Sequence, residues 1–385
     1  MVPEGWCVKT VNDVLERVVD PVQVNPSKQY RQIGIRSHGK GLFHKEAVSG
    51  KALGNKRVFH IEKDCLVVNI VFAWEQAVAK TSEREVGMIA SHRFPMFKPK
   101  DGKCDVDFIL YFLKTPRGKY LLELASPGGA GRNKTLGQKE FASLKLLLPP
   151  VEEQKKIAKI LSTWDKAIAT AEQLLANSEQ QKKALMQQLL TGKKRLPGFE
   201  GEWRKVELGD VLEYRQPTPY LVESTEYSDE YKTPVLTAGK TFILGYTDED
   251  FGIFKEGLPV IIFDDFTTSS RFVDSEFKVK SSAMKILSAR AGHSIKYVFE
   301  AMQMIRYAVG GHQRHWISIF ANLVVPMPPL EEQEAIASAL SSADDEIKTL
   351  RAYADRLKAE KKALMQQLLT GKRRVQVDDA ERSST

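Results

Sequence analysis

Cysteine is scarce in this chain of 385 residues, and its three cysteines do not have the spacing of a metal site. Cys7, Cys65 and Cys104 lie far apart and form no C-x-x-C pair. Closely spaced cysteine pairs are typical of zinc sites, and dense cysteines are typical of disulfide frameworks. We therefore expect neither a structural zinc ion nor a disulfide-stabilised fold.

Long apolar segments are missing as well. The longest apolar run, Cys65 to Trp74, is interrupted by Asn69 and is far shorter than the roughly 20 residues that span a bilayer. The first residues contain no basic stretch followed by an apolar one, so no secretion signal is predicted. These absences predict a cytoplasmic protein without a membrane partner.

Common catalytic motifs are also absent. The segment Gly128–Thr135 is similar to a phosphate-binding loop, but Asn133 stands where G-x-x-x-x-G-K-[ST] requires glycine. No G-x-G-x-x-G motif follows a strand-like run, and His312 and His315 are too close for a zinc pair on one helix. The sequence thus has no strong mark of a nucleotide-binding or metal-dependent enzyme.

What the sequence does contain is a long internal repeat. Segments 149–193 and 328–372 both begin with Pro-Pro, one residue, and Glu-Glu-Gln, and both end with Lys-Lys-Ala-Leu-Met-Gln-Gln-Leu-Leu-Thr-Gly-Lys. The offset between residues 149 and 328 is 179, and it is the same between Gly192 and Gly371. Because self-similarity of this kind determines architecture, we predict a pseudo-two-fold symmetric molecule.

A fainter repeat marks the limits of the segments that precede the two copies. Asp-Val-Leu-Glu follows both Trp6 and Trp203, and Phe141-Ala-Ser-Leu is matched by Phe320-Ala-Asn-Leu. The bodies between these landmarks share little sequence. A constant frame around divergent inserts indicates two modules that keep one task and address different targets.

Apolar residues recur in a four-three pattern through both copies of the long repeat, from Ile157 to Leu189 and from Ile336 to Leu368. This 3.5-residue period is the seam of a coiled coil. The leading prolines and glutamates suit a helix N-terminus. The closing Thr-Gly, followed by Lys and Arg through Arg195 and Arg374, suits a C-terminus, where cations meet the negative end of the helix dipole. The first copy therefore predicts a helix from Glu152 to Thr191, roughly 60 Å long at 1.5 Å per residue, and the second copy predicts an equivalent helix.

A helix of this length needs a partner that covers its seam. The predicted partner is the second copy in the same chain, in antiparallel orientation, because tethering raises the local concentration. The alternative is homodimerisation through the same seams. Lys182 and Lys361 interrupt the seam at equivalent positions, and two interpretations stay open for them: solvation at a frayed helix end, or contact with a partner subunit.

The two bodies, residues 1–148 and 196–327, have the pattern of mixed α/β domains. Strand-like runs such as Leu66–Val71 and Leu258–Phe263 are bounded by Gly, Asp and Pro. Helices are predicted near Val106–Leu124 and Ser294–Tyr307. The predicted fold class is therefore α+β, with two mixed α/β bodies separated by an antiparallel coiled coil of two long helices.

The charge balance favours a polyanionic partner. Lys and Arg number 57 against 49 Asp and Glu, which gives a net charge of +8. In both bodies, basic and polar residues are interleaved with aromatics and glycine turns, and such residues read base edges and hold phosphates. The candidate DNA-contacting residues are Arg31, Arg36, His38, Lys40, Arg93, Arg132, Asn133 and Lys134 in the first body, and Lys240, Thr267, Thr268, Ser269, Arg271, Lys278, Lys280, Gln313, Arg314 and His315 in the second.

One enzyme hypothesis stands beside this interpretation. Asp264, Asp265, Glu276 and Lys278 are the residue types with which Mg²⁺-dependent nucleases hold metal and orient water. The first body has no comparable set. A stand-alone Mg²⁺-dependent nuclease is therefore the alternative function, and a coiled-coil adaptor without DNA affinity is a third.

The duplicated Pro-Pro-x-Glu-Glu-Gln-x-x-Ile-Ala-x-x-Leu, at 149–161 and at 328–340, leads each time to a long helix that ends Leu-Leu-Thr-Gly. This frame resembles the conserved regions of type I restriction-modification specificity (S) subunits. The resemblance implies target-recognition domains at 1–148 and 196–327 and conserved long helices at 149–195 and 328–374. The polar composition of residues 375–385 predicts a disordered tail.

The resemblance also implies the function and the partners. Such a subunit is a non-catalytic reader of double-stranded DNA, in which each recognition domain reads one half of a bipartite site and the helices set the gap. It binds two methyltransferase (M) subunits and motor-nuclease (R) subunits. No catalytic residue and no metal or other cofactor is expected in this chain, since S-adenosylmethionine, ATP and Mg²⁺ belong to the partner subunits.

Overall fold

The computed structural model describes residues 3–128, 134–237, 241–306 and 315–377. The chain divides into two compact units. The first consists of Met1–Thr170 and Tyr353–Thr385, and the second consists of Ala171–Ala352. Each unit therefore contains one body together with part of each long helix.

The first body is built mainly from short antiparallel strands. Its strands, β1 to β12, are Cys7–Thr10, Leu15–Val18, Gln29–Tyr30, Ile33–Ile35, Leu42–His44, Val48–Ser49, Val58–His60, Leu66–Val68, Val78–Lys80, Ile89–Ser91, Met96–Pro99 and Lys145–Leu148. Its helices, α1 to α5, are Val11–Val14, Gly50–Leu53, Val106–Leu113, Pro116–Leu124 and Gln138–Ala142. The largest sheet has the order β2-β11-β8-β9, and β4 pairs with β5 as a two-stranded ribbon.

Two long helices of 39 residues each follow the two bodies. The first, α6, is Val151–Leu189, and the second, α10, is Leu330–Leu368. Both begin directly after a Pro-Pro pair, and both are followed by a glycine with φ of +70°, Gly192 and Gly371. That left-handed conformation costs glycine little because it has no Cβ, so both helices end where the sequence predicts.

The second body is simpler. Its strands, β13 to β21, are Arg204–Glu207, Leu212–Arg215, Thr233–Leu236, Ile243–Thr247, Val260–Asp264, Ser270–Val273, Lys278–Val279, Met284–Ala289 and Val324–Met327, and its helices, α7 to α9, are Leu208–Val211, Ile295–Gln303 and His315–Ser318. The main sheet has the order β14-β20-β17-β18, and a second sheet has the order β16-β15-β19. Strand β17 is buried along its whole length, as a central strand should be.

Each body closes on itself before its long helix begins. Strand β1 pairs antiparallel with β12, with Cys7 opposite Leu148, and β13 pairs in the same way with β21, with Arg204 opposite Met327. The first and last strands of a body are therefore neighbours. This closure explains why the Trp landmark and the Phe-Ala-x-Leu landmark frame each divergent segment.

The long predicted helix of the first body is two helices. The break falls between Leu113 and Pro116, where the Thr115 side chain accepts a hydrogen bond from the amide of Gly118 and caps α4. Proline at the first helical position has no N–H to donate, so a new helix starts there readily. In the second body, α8 ends at Gln303, and the predicted end at Tyr307 lies outside the described residues.

The helix seams pack inside the chain. In the first unit, Ile157 and Leu161 of α6 share a core with Leu368 of α10 and with the body; in the second unit, Leu189 of α6 shares a core with Ile336 and Leu340 of α10. In both units the start of one helix thus lies beside the end of the other. The predicted antiparallel pairing within the chain is confirmed. Among the described residues, no helix is both long enough and apolar enough to cross a membrane.

Candidate DNA interface and its anchoring

The start of each long helix holds the start of a helix in its body through one glutamine. The Gln154 side-chain oxygen accepts from the amide of Asp105, the N-cap of α3, at 2.9 Å. Its nitrogen donates to the first carbonyl of the Pro-Pro pair at 2.8 Å. Gln333 makes the same two bonds in the second unit, with the amide of Ser294, the N-cap of α8, at 2.9 Å. The repeated glutamine therefore fixes each body on its helix.

A buried carboxylate next to each glutamine is held by an arginine from beyond the other helix. Glu153 accepts from Nε and Nη2 of Arg374 at 2.7 and 2.8 Å, and Glu332 accepts from the same atoms of Arg195 at 2.5 and 2.6 Å. Trp203 adds a third bond to Glu332 at 3.0 Å. The hydrogen bonds with these carboxylates raise the pKa of both arginines. A bidentate guanidinium–carboxylate pair is strong and directional. Each pair therefore fixes the C-terminal end of one long helix beside the N-terminal end of the other.

The two seam lysines are paired within the chain. Lys361 lies 2.5 Å from Asp165 in the first unit, and Lys182 lies 2.6 Å from Asp344 in the second. The two aspartates occupy equivalent repeat positions, as do the two lysines. Neither lysine is therefore a solvated residue at a frayed end.

The bodies meet these pairs with different chemistry. In the first unit the Tyr111 hydroxyl donates to Asp165 at 2.6 Å, and burial raises the pKa of Tyr111. In the second unit the buried carboxylate of Glu300 lies 2.9 Å from Lys296 and 3.4 Å from Lys182. The first body thus adds an uncharged hydroxyl donor to its Lys–Asp pair. The second body adds a carboxylate, Glu300, together with the cation Lys296.

In the first body, three predicted contacts lie together on the β4–β5 ribbon. Arg36 follows β4 directly, and His38 and Lys40 lie in the turn before β5; all three are exposed. The turn is held by backbone bonds, from His38 to the carbonyl of Glu75 and from Gly39 to that of Gln76. His38 has φ of +60°. The ribbon therefore presents three basic side chains from a backbone that is held by hydrogen bonds.

The other predictions for the first body are more scattered. Arg31 and Arg93 are exposed, on separate loops. Lys134 is half-buried, with its ammonium 5.4 Å from the centre of the Trp74 indole. Arg132 and Asn133 lie outside the described residues.

In the second body, Thr267, Thr268 and Ser269 form the turn between β17 and β18. Asp264, at the end of β17, accepts bonds from the amides of Phe266 at 2.7 Å and Thr267 at 3.1 Å. Thr268 has φ of +60°, and its amide donates to the Asp264 carbonyl at 2.9 Å. The carboxylate of Asp264 is thus a structural acceptor that shapes the turn.

Two predicted cations of the second body stack on aromatic rings. Arg271, on β18, lies 5.7 Å from the centre of the Phe242 ring, and Lys280 lies 5.7 Å from that of Tyr227. Both cations are exposed. Lys240, Gln313 and Arg314 lie outside the described residues, as does the side chain of His315.

Lys278 departs from the prediction. Its side chain is 0% exposed, and its ammonium lies 2.6 Å from Glu249 and donates to the carbonyl of Phe251 at 2.8 Å. Burial alone would raise the pKa of Glu249, but bonds from Lys278 and from the Ser224 amide outweigh burial and lower it. Lys278 is therefore an internal counter-ion and does not face a ligand.

The four residues of the nuclease hypothesis all have other partners. Lys278 binds Glu249, and Glu276 is exposed and lies 3.5 Å from Lys255. Asp264 caps its turn, while Asp265 accepts from the Trp316 amide at 2.8 Å. Within the described parts of the chain, no group of three or more His, Cys, Asp or Glu residues is arranged to hold a metal ion.

The sequence reasoning missed the residues that fix the bodies. Glu153 and Glu332 were interpreted only as favourable helix starts, and Arg195 and Arg374 only as cations at helix ends. The repeat offset of 179 already relates each of these pairs. Because long-range partners are not encoded in spacing, their bonds became visible only in the fold.

Comparison with known proteins places both halves in one family. The model of the type I restriction modification DNA specificity domain matches residues 3–180 and again 200–358. The specificity subunit of the type I restriction enzyme EcoR124I/EcoR124II from Escherichia coli is 48% identical over 140 residues, which cover 35% of this chain and 34% of that protein. This chain therefore matches about a third of that relative's length.

One further relative and one solved structure match over nearly the full length. A putative type I restriction enzyme MjaX specificity subunit from Methanocaldococcus jannaschii is 24% identical over 416 residues, covering 97% of this chain and 95% of that protein. The crystal structure of the type I restriction-modification S subunit from M. genitalium superposes with a TM-score of 0.66 at 13% identity, covering 98% and 100% of the two chains. The two matches to the specificity domain together cover most of this chain. The chain therefore belongs to the type I restriction-modification DNA specificity subunits.

Proposed function

We propose that this chain reads a bipartite, asymmetric DNA site, with one half-site for each body. The observation that carries the proposal is the contrast between the anchors and the bodies. The anchors repeat residue for residue, as with Gln154 and Gln333, whereas the exposed cations of the two bodies lie on unrelated turns. Equal anchoring of unequal surfaces suits one task performed on two different sequences.

The long helices would set the gap between the half-sites. Two readers that face the same side of a duplex must be about one helical turn of DNA apart, roughly 34–36 Å, or a multiple of it. Helices of 39 residues are roughly 60 Å long at 1.5 Å per residue. Their length is thus of the right order to separate two half-sites.

The chemistry would come from partner subunits. Two methyltransferase subunits would flip and methylate an adenine at N6 with S-adenosylmethionine, and motor-nuclease subunits would use ATP and Mg²⁺. This chain would bind none of these cofactors, and it would act in the cytoplasm. The rival function, a stand-alone nuclease, has no support in the arrangement of Asp264, Asp265, Glu276 and Lys278 described above.

The test is a body exchange. Residues 196–327 are replaced by the corresponding body of a relative, the chimera is expressed with its methyltransferase subunits, and methylated adenines are mapped across the host genome. We expect one half of the motif to change while the other half and the spacer stay the same. A change in both halves would refute the assignment of one half-site to each body.

The nuclease alternative has its own assay. The purified chain alone is incubated with Mg²⁺ and plasmid DNA, next to an E276Q variant. We expect no cleavage by either protein. Cleavage by the wild type that E276Q abolishes would favour the enzyme.

A further inference from the structure

Two arginines, one in each body, are stacked on a phenylalanine of the same body. The guanidinium carbon of Arg36 lies 5.0 Å from the centre of the Phe43 ring, and that of Arg271 lies 5.7 Å from the centre of Phe242. A guanidinium over the face of an aromatic ring is attracted by the ring, and this attraction favours the side-chain conformation that keeps the contact. Each arginine is therefore pre-oriented before any ligand arrives.

Both side chains keep donors available. They are exposed, and in the described ranges neither is ion-paired with a carboxylate, unlike Arg195 and Arg374. Arg36 donates once, from Nη1 to the carbonyl of Leu42 at 2.8 Å. Since a guanidinium has five N–H donors, most of its donor capacity remains for a partner.

Their position on the strands suits the major groove. Arg36 directly follows β4 of the two-stranded β4–β5 ribbon, and Arg271 lies on β18 at the edge of its sheet. A two-stranded ribbon fits into the major groove of B-DNA, where guanine presents two acceptors, O6 and N7. Arginine satisfies both acceptors at once.

The residues around each arginine are suited to hold DNA while the arginine contacts a guanine. His38 and Lys40 on the ribbon, and Thr267 and Ser269 on the β17–β18 turn, are exposed groups of the kind that hold phosphates. Next to Phe242, Ile243 and Leu244 are each 42% exposed. Apolar side chains that face solvent beside a base-reading arginine are suited to contact thymine methyl groups.

We propose that Arg36 reads a guanine in the half-site of the first body and that Arg271 reads a guanine in the half-site of the second. This assignment rests on the proposed function, and it singles out two residues as base readers among the many cations of the bodies. Lys280 and Lys134 also lie on rings, but an ammonium is a point charge and lacks the two-pronged geometry that matches guanine.

The test uses lysine substitutions, because lysine keeps the charge and the contact with the ring. The full-length wild type and the R36K, R271K and R117K variants are each expressed with their methyltransferase subunits, and methylated adenines are mapped genome-wide. R117K is the matched control, since Arg117 lies 5.2 Å from the centre of the Tyr120 ring but on helix α4. Thermal melting of each variant shows whether it is folded.

We expect R36K to relax one G·C position in one half-site, and R271K to relax one G·C position in the other. The preference for guanine over other bases should fall roughly tenfold at that position. R117K should leave the motif unchanged.

Three results would overturn the assignment. They are an unchanged motif in both variants, a uniform loss of methylation with the same motif, which would indicate a phosphate contact, and a wild-type half-site without any G·C pair. If the wild type itself gave no bipartite motif, the proposed function would fail together with the inference, so the two failures are distinguishable.

Discussion

The buried pair of Lys278 and Glu249 gives the sharpest test of the corrected assignment. Replacing Lys278 by methionine keeps the volume and the apolar stem but removes the ammonium 2.6 Å from Glu249. Glu249 would keep its bonds from the amides of Glu223 and Ser224 but would lose its only cation within reach in the described chain. Leaving one charge of a buried pair uncompensated costs about 3 kcal/mol. We therefore expect the K278M variant to lose roughly a hundredfold in local hydrogen-exchange protection.

The assay is hydrogen exchange with mass spectrometry over peptides that contain β16 and β19. The control is the double variant K278M/E249Q, in which a neutral amide still accepts from the two backbone amides. Replacing both members of a buried ion pair by uncharged residues of similar volume often changes the stability little. The double variant should therefore recover most of the protection. If K278M were as stable as the wild type but changed the DNA motif, Lys278 would be a reader and the structural interpretation would be refuted.

The same pair predicts a pH dependence. The folded pKa of Glu249 lies below its ordinary value of 4.5, because the bonds from Lys278 and the amides outweigh burial. A carboxylate with a lowered folded pKa contributes stability above its unfolded pKa, and this contribution is lost as the pH falls through the folded value. Between about pH 4.5 and the lower folded pKa, the wild type should lose stability faster than the double variant. Parallel curves in thermal melts across this range would contradict the linkage.

Three further predictions follow from the anchors and the helices. R195A should lower the melting temperature of the second unit, since Glu332 would stay buried without its bidentate partner. The control K193A, at an exposed position, should leave the melting temperature unchanged. Equal melting temperatures for the two variants would refute the anchoring role of Arg195. Y111F removes one bond to a charged acceptor and should cost about 1.5 kcal/mol in urea unfolding of the first unit, and no change would show that the bond is unimportant. Four residues inserted into both long helices should lengthen the DNA spacer by about two base pairs, from 1.5 Å per residue against 3.4 Å per base pair, and an unchanged spacer in the mapped motif would refute the ruler.

The long helices could be predicted from the sequence almost to the residue. Their limits differ by one or two positions from the predicted range of 152–191, because the period of the seam, the leading prolines and the closing glycine all agree. Agreement between local preferences and the fold is what makes an element predictable. The helix near Val106–Leu124 was less predictable, since Pro116 was compatible with either a kink or a new start.

The individual contacts were harder to predict than the elements. Lys278 was assigned to DNA as one of the basic and polar residues that are interleaved with aromatics in the second body, and nothing in its neighbourhood names Glu249 as its partner 29 residues away. The stacked pairs Arg36–Phe43 and Arg271–Phe242 raise the same difficulty, since in the second pair Arg271 lies on β18 while Phe242 directly precedes β16 of another sheet. Distances in the sequence do not determine which side chains meet across a sheet.

The repeat helps to distinguish cations of the frame from cations that read DNA. It does so for cations that recur, but not for those without a counterpart. Two pairs of cations that recur at the offset of 179, Lys182 with Lys361 and Arg195 with Arg374, are engaged with carboxylates of the helices and hold the frame together. Lys193 and Lys372 recur at the same offset and are exposed. Cations without a counterpart include exposed Arg271, but they also include buried Lys278. Recurrence therefore identifies a residue of the frame, whereas its absence does not identify a reader. Readers must also be exposed, held in place and free of carboxylates in the described structure, and Arg36 and Arg271 meet all three conditions.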